Sequence, residues 1–157
     1  IFIPKFSSFL TWSHSTGKTF TNIITWKDIR ADEIVHRWNK SFTMTSLNVG
    51  ASFLYFFTRS QKFLAGSVLK LTNHQVTPRL LWCLENVREL QEASAKDDAM
   101  FGTIEAFLLY RLKNGEGEHV MDITNAIATG LFDPFTMGWA GWAMGMFKIN
   151  RKMLPKV

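Results

Sequence analysis

Apolar and polar positions along the 157-residue chain change period several times, and each change marks an element. Residues Ser8 to Trp12 and Thr19 to Trp26 are rich in Thr, Ile, Phe and Trp and flank the polar run Ser13 to Lys18. This pattern predicts two strands joined as a hairpin over residues 7–27, with Phe20, Asn22, Ile24 and Trp26 on one face of the second arm. Ala31, Ile34, Val35 and Trp38 then recur at i, i+3, i+4 and i+7, which predicts a short amphipathic helix capped by Asp28, with Asp32 and Glu33 in its first turn. Between Ser46 and Asn73 the period fails: Phe53, Phe56, Phe57, Phe63 and Leu64 permit a helix that Gly50 and Gly66 interrupt, so the role of residues 46–73 stays unassigned. Pro78 in a first turn and the stripe Leu80, Leu84, Val87 predict a helix through Arg79 to Asn86 and on to Val87, followed by a polar connector at Ser94 to Asp98.

The next stretch is the most regular. Ile104, Phe107, Leu108 and Leu112 predict a helix that Thr103 caps and Asn114-Gly115 stops. A short strand at His119 to Met121 follows, and Asp122 to Asn125 have the short polar side chains of turns and caps. Leu131 to Trp139 is rich in turn residues. Trp139, Trp142, Ala143 and Met146 predict a packed final helix, weakened by about 1 kcal/mol at each of Gly141 and Gly145.

Composition narrows the class. With 46% hydrophobic and 20% charged residues the chain is a folded domain and too apolar for disorder. Its longest apolar run, Phe53 to Phe57, is far short of the roughly 20 residues a membrane helix requires. The net charge of +5 is scattered, with Lys148, Arg151, Lys152 and Lys156 the nearest approach to a cluster, which argues for a solvated surface and against nucleic acid as a partner. A single cysteine, Cys83, allows no disulfide within the chain and suits a reducing compartment. The chain starts at Ile1 and ends at Val157 without the signatures of either terminus, so it is expected to be a piece of a longer one; a targeting signal stays open, and Pro4 argues against a central strand at residues 1–6.

Short-motif chemistry is sparse. Gly17-Lys18-Thr19 has the ending of a phosphate-binding P-loop, but the required first glycine falls at Trp12 and a strand follows where a helix should, so a plain turn is expected. His14, His36, His74 and His119 are isolated from one another and from Cys83, which leaves no spaced metal site. Asp97-Asp98 has the character of a solvated turn more than of a general base. Asn39-Lys40-Ser41 formally fits a glycosylation acceptor. By physics alone Trp26, ending a strand, is a core residue more often than a ligand wall, and His74 before a helix is a surface residue more often than a ligand contact.

Four segments in order carry a resemblance: Trp26 with Arg30 four residues on; Trp82 with Glu85-Asn86; Phe101 to Leu112; and Asp122 to Ala126 followed by Leu131-Phe132-Asp133. Together they resemble the FGGY carbohydrate kinases, and within these the glycerol kinase branch, from about Thr11 to Val157 with residues 74–157 the best-matching part. The resemblance implies an α/β fold: residues 1–157 as part of an actin-like (ribonuclease H-like) N-terminal domain, a mixed sheet with packed helices, the second domain lying outside. It implies a parent enzyme that transfers the γ-phosphate of ATP, with Mg2+, to an alcohol group of a small polyol or sugar, giving glycerol 3-phosphate if the acceptor is glycerol. Trp26 occupies the position of a tryptophan that lines the glycerol site, and His74 stands where glycerol kinases carry a glycerol-contacting tyrosine, which puts glycerol itself in doubt. Arg79 replaces a usual lysine, and Asn150 the first proline of an Ile-Pro-x-x-x-Leu-Pro pattern. The family's phosphate-binding turn, its polyol-gripping Arg-Glu pair, its catalytic aspartate and its adenosine site match no position here, so the chain is expected to hold substrate-binding residues and no catalytic or cofactor residues. The resemblance also implies a cytoplasmic protein, or one associated with mitochondria, and a homo-oligomeric parent. The alternative is an inactive kinase-like regulatory or binding protein.

Overall fold

A computed structural model describes residues 7–112 and 118–157. In chain order the elements are β1 (Phe9–Ser13), α1 (Asp32–Asn39), α2 (Phe42–Thr58), α3 (Gln61–Ser67), α4 (Val76–Asn86), α5 (Arg88–Ala95), β2 (Ala99–Thr103), α6 (Ile104–Leu112), α7 (Ile123–Ala128), β3 (Phe132–Asp133), β4 (Gly138–Trp139) and α8 (Gly141–Phe147), then a 3-10 turn at Arg151–Met153. The expected stop at Asn114-Gly115 and the reading of Pro4 lie outside the described residues.

β1 and β2 pair antiparallel, Phe9 opposite Thr103 and Ser13 opposite Ala99, and every residue of both strands is buried. The pleat explains how two strands carry both faces of a core. Leu10, Trp12 and Met100 point to one side, where Tyr110 of α6 joins them and Trp12 meets the rings of Phe107 at 5.1 Å and Tyr110 at 5.6 Å. Phe9, Ala99 and Phe101 point to the other, into the larger cluster with Val76 and Leu80 of α4 and Leu90 of α5. The Trp12 indole N–H finds no acceptor among the described residues, so packing alone holds that ring.

β2 occupies residues whose pattern suggests only the approach to a helix. Its Thr103 is the last strand residue; the hydroxyl is buried without a hydrogen-bond partner among the described residues and does not cap α6. Beside β1 the chain returns antiparallel through isolated bridges at Thr19 and Ile24, with Phe9 and Ile24 exchanging both backbone hydrogen bonds, and no continuous second arm forms. The turn between is closed by the Gly17 amide on the Ser13 carbonyl at 2.9 Å, with Gly17 at φ 67°. At His119 to Met121 the expected strand reduces to a parallel bridge between Val120 and Lys156.

Helix phase follows tertiary packing. α1 buries Ala31, Ile34 and Val35 as the pattern predicts, but it starts at Asp32 and its N-cap Ala31 supplies no side chain; Asp28 instead accepts from the amide and guanidinium of Arg30. α6 buries Ala106 and Tyr110 and leaves Leu108 and Leu112 exposed, because its residues are apolar on more than one side and the Trp12 ring selects the Phe107–Tyr110 side. In α8 the buried stripe is Ala140, Ala143, Met144 and Phe147, and Trp142 is half exposed; the same spacing recurs one residue later than expected.

Residues 46–73 resolve into the hairpin of α2 and α3. Ser41 caps α2 by accepting from the Met44 amide at 3.1 Å, and Arg59, in the left-handed region at φ 52°, ends it. Asn39 holds the base of the hairpin through a two-way hydrogen bond with the Leu71 backbone, which gives the formal glycosylation asparagine a structural role. Phe42, Val49, Phe53, Phe56 and Phe57 of α2 are exposed. Among the described residues no helix is long and apolar enough to cross a membrane.

A Cβ at Gly102 would lie 2.9 Å from the Ala106 Cβ and 3.0 Å from the Trp12 ring, so this strand position requires the missing side chain. Gly102→Ala in the full-length protein is expected to lose about 1–3 kcal/mol through overpacking. Urea unfolding measures it, and an unchanged midpoint and slope would contradict the close approach.

Candidate functional site

The site candidates sit on two segments that precede helices. The return segment from β1 ends in a turn at Trp26-Lys27, and the chain from α3 reaches α4 through a turn at Asn73-His74. The fold brings the two together: the rings of Trp26 and His74 lie 6.2 Å apart, tilted by 35°. Trp26 is half-buried and His74 exposed, so together they form an aromatic surface open on one side, with the Lys27 ammonium 5.5 Å from the Trp26 ring. An indole beside an imidazole offers an apolar face with hydrogen-bonding edges, a surface suited to a small polar ligand with C–H bonds.

Beneath this surface is a group the sequence reading missed except as a departure from lysine. Arg79, in the first turns of α4, is fully buried. Its Nε donates to the Gln75 carbonyl at 3.2 Å, Nη2 to the His74 carbonyl at 3.1 Å and Nη1 to the Thr25 carbonyl at 2.5 Å. Its guanidinium also lies 5.8 Å from the Phe9 ring. Burial pulls the Arg79 pKa down from its ordinary value, and the nearby Asp28 carboxylate works against that pull. The signal for it in the sequence is an arginine followed directly by the apolar Leu80-Leu81-Trp82 of the predicted helix.

Asp28 and Arg30 form the outer part of the same cluster. Arg30 grips the carboxylate with Nε at 2.9 Å and Nη2 at 2.7 Å, and stacks 4.8 Å from the Trp82 ring. The side-chain hydrogen bond from Arg30 holds the Asp28 pKa below its ordinary value against a smaller opposing effect of burial. Asn73, next to His74, donates to Asp32 at 2.8 Å and so ties the second segment to α1.

The other polar candidates are structural. Asp98 accepts from the Ser13 hydroxyl at 2.7 Å and the Ser15 amide at 2.8 Å, closing the turn after β1. Burial raises its pKa, but these hydrogen bonds outweigh burial and leave it below the usual value. Asp97 instead receives Lys152 at 2.5 Å and Asn150 at 2.7 Å. Asn150 also accepts from the Lys152 amide at 3.0 Å and so caps the 3-10 turn. Asp122 caps α7 through the amides of Thr124 and Asn125, and Asn125 is buried. Among the described residues no three His, Cys, Asp or Glu side chains group to hold a metal ion. A separate apolar cavity of about 490 Å³ lies between the α2–α3 hairpin and the β3–α8 region, lined by Leu47, Leu54, Phe63, Phe132 and Trp142 and by neither Trp26 nor His74.

Residues 6–157 match the model of the FGGY family of carbohydrate kinases, N-terminal domain. The chain belongs to that family. Among relatives, it is 41% identical over 151 residues to glycerol kinase 5 of Bos taurus, a match that covers 96% of this chain and 28% of the relative. It is 31% identical over 150 residues to glycerol kinase of Chloroflexus aggregans, covering 94% of this chain and 27% of that one. Among solved structures, Plasmodium falciparum glycerol kinase with ADP superposes with a TM-score of 0.76 at 24% identity, over 96% of this chain and 26% of that one. The fold is therefore the actin-like α/β fold of these kinases, and the chain spans just over a quarter of the length of the curated relatives it matches.

Cys83 lies on α4 among these groups, and burial pushes its thiol up to about 12, with Arg30 pulling the other way. In the folded full-length protein Cys83 is expected to stay unalkylated by iodoacetamide near pH 8, because the thiolate is the reactive form, and to react once urea is added. Peptide mass mapping reads the outcome, and alkylation of the folded protein at the rate of a free thiol would contradict the burial.

Proposed function

We propose that this chain is part of the N-terminal domain of an ATP-dependent carbohydrate or polyol kinase, of glycerol kinase type, and that Trp26 and His74 line its acceptor site. The observation that carries the reading is the meeting of Trp26 and His74, 6.2 Å apart, at the two positions the family resemblance marks for acceptor contact. Family membership over residues 6–157 supports the reaction class: the γ-phosphoryl group of ATP passes to a hydroxyl of the acceptor, giving ADP, a phosphate monoester and a proton.

Within this reading Trp26 packs against the C–H face of the acceptor, and the His74 imidazole exchanges hydrogen bonds with a hydroxyl. A histidine is smaller than the tyrosine of glycerol kinases and can donate or accept at either edge, which favours an acceptor bulkier than glycerol or one presenting a hydroxyl at a different angle. ATP supplies the phosphoryl group, with Mg2+ to balance its charge; their ligands are assigned to no residue of this chain, since the Gly17-Lys18 turn leads into bridged extended chain and Asp97 and Asp98 are engaged elsewhere. The second domain and the catalytic base belong to the parent chain. A buried free thiol at Cys83 suits a reducing, cytoplasmic setting.

An assay of ADP release by the full-length protein over a panel of polyols and sugars tests the proposal. At least one acceptor is expected to be phosphorylated, and Trp26→Ala is expected to raise its KM about tenfold, the loss of one aromatic contact, with the KM for ATP unchanged. Residues 7–157 alone are expected to release no ADP. Absence of turnover with every acceptor in the full-length protein would support the inactive, binding-protein reading instead.

A further inference from the structure

We propose that Arg79 is a positioning residue that fixes the gap between Trp26 and His74, and with it the acceptor the site admits. The inference rests on those two side chains lining the acceptor site. A fully buried guanidinium is costly unless its donors are satisfied, and here three go to backbone carbonyls on two separate segments. One is the carbonyl of Thr25, immediately before Trp26; the other two belong to His74 itself and to Gln75. Within each turn the backbone closes locally, the Asp28 amide on Thr25 at 3.1 Å and the Gln75 amide on Thr72 at 3.1 Å, and the Asn73 side chain ties the second turn to Asp32 at the start of α1. The hydrogen bonds of Arg79 thus link the backbone beside Trp26 directly to the backbone of His74.

Geometry makes arginine suited to this. The guanidinium is planar and presents donors along fixed, diverging directions, so it holds two chains at a set distance. A lysine ammonium donates from one point on a flexible stem and carries no such spacing. Asp28, in the turn after Trp26, adds a carboxylate whose charge acts on the same guanidinium, so charge as well as hydrogen bonding draws the two segments together. A change at Arg79 therefore alters the separation of the two rings without touching either one.

The test uses the full-length protein with Arg79→Lys, which keeps the charge and the fold, beside Trp26→Ala and His74→Ala. Hydrogen exchange in peptides covering residues 25–29 and 72–76 is expected to quicken by about tenfold in both windows at once, while β1 and β2 keep their protection. The KM for the acceptor is expected to rise about fivefold, with the KM for ATP within about twofold of wild type, a split that general loss of stability does not produce. Faster exchange in only one window, or in neither, overturns the inference, as does an acceptor KM that Trp26→Ala shifts and Arg79→Lys leaves alone. If exchange quickens in both windows but neither Trp26→Ala nor His74→Ala moves the acceptor KM, or no acceptor turns over, Arg79 still joins the two segments and it is the site reading that fails.

Discussion

The structure depends on the antiparallel pairing of Phe9–Ser13 with Ala99–Thr103. Both strands are buried on both faces, so their backbone groups must find partners within the protein. β1 does so on its second edge through Ile24 and Phe20. On β2, Phe101 stands opposite Thr11, whose carbonyl turns away from β2 to accept from Phe20, and the Phe101 carbonyl likewise turns outward, where the His119 ring nitrogen donates to it at 2.7 Å. That bond fixes the proton on Nε2 of His119, and burial holds the histidine below its usual pKa. The imidazole thus occupies one carbonyl of an edge that would otherwise be open to further pairing.

From this pair the rest of the fold is arranged by sidedness. α6 covers the face with Trp12, and α4 and α5 cover the face with Phe9 and Phe101. The start of α4 then lies against the end of the return segment, which is what brings Arg79 within reach of Thr25 and sets Trp26 beside His74. The candidate site is a by-product of how one face of the pair is covered.

Much of this is legible in the sequence where burial and period agree. α1 and α4 follow from apolar spacing, as does the existence though not the phase of α6, and the turn at Gly17 follows from its residues. The readings fail where apolar residues are too abundant to fix a phase, as in α6 and α8, or where strand residues are not the usual ones. β2, as Ala-Met-Phe-Gly-Thr, has no alternation and only Thr103 as a branched residue, and it is a strand because β1 and two layers of helices enclose it. The α2–α3 hairpin is hidden by its two glycines, although Gly66 faces Ala51 across the hairpin without breaking a helix. At the site, Trp26 and His74 come from resemblance, since neither residue announces a role by spacing. Arg79 shows in the sequence as a departure from lysine, but its role does not, because the carbonyls that satisfy the buried charge carry no sequence signal.

The long excursion between the two paired strands has a consequence for biosynthesis. On the ribosome β1 emerges first, and its partner strand β2 is made only after the whole of α1 to α5 has followed. Until then β1 has only the bridges to Thr19 and Ile24 on one edge, its other edge stays open, and local helices must form around an unfinished centre. Nascent chains of this kind spend their vulnerable interval waiting for a distant segment, which is where a chaperone that shields extended apolar peptide has most effect on yield.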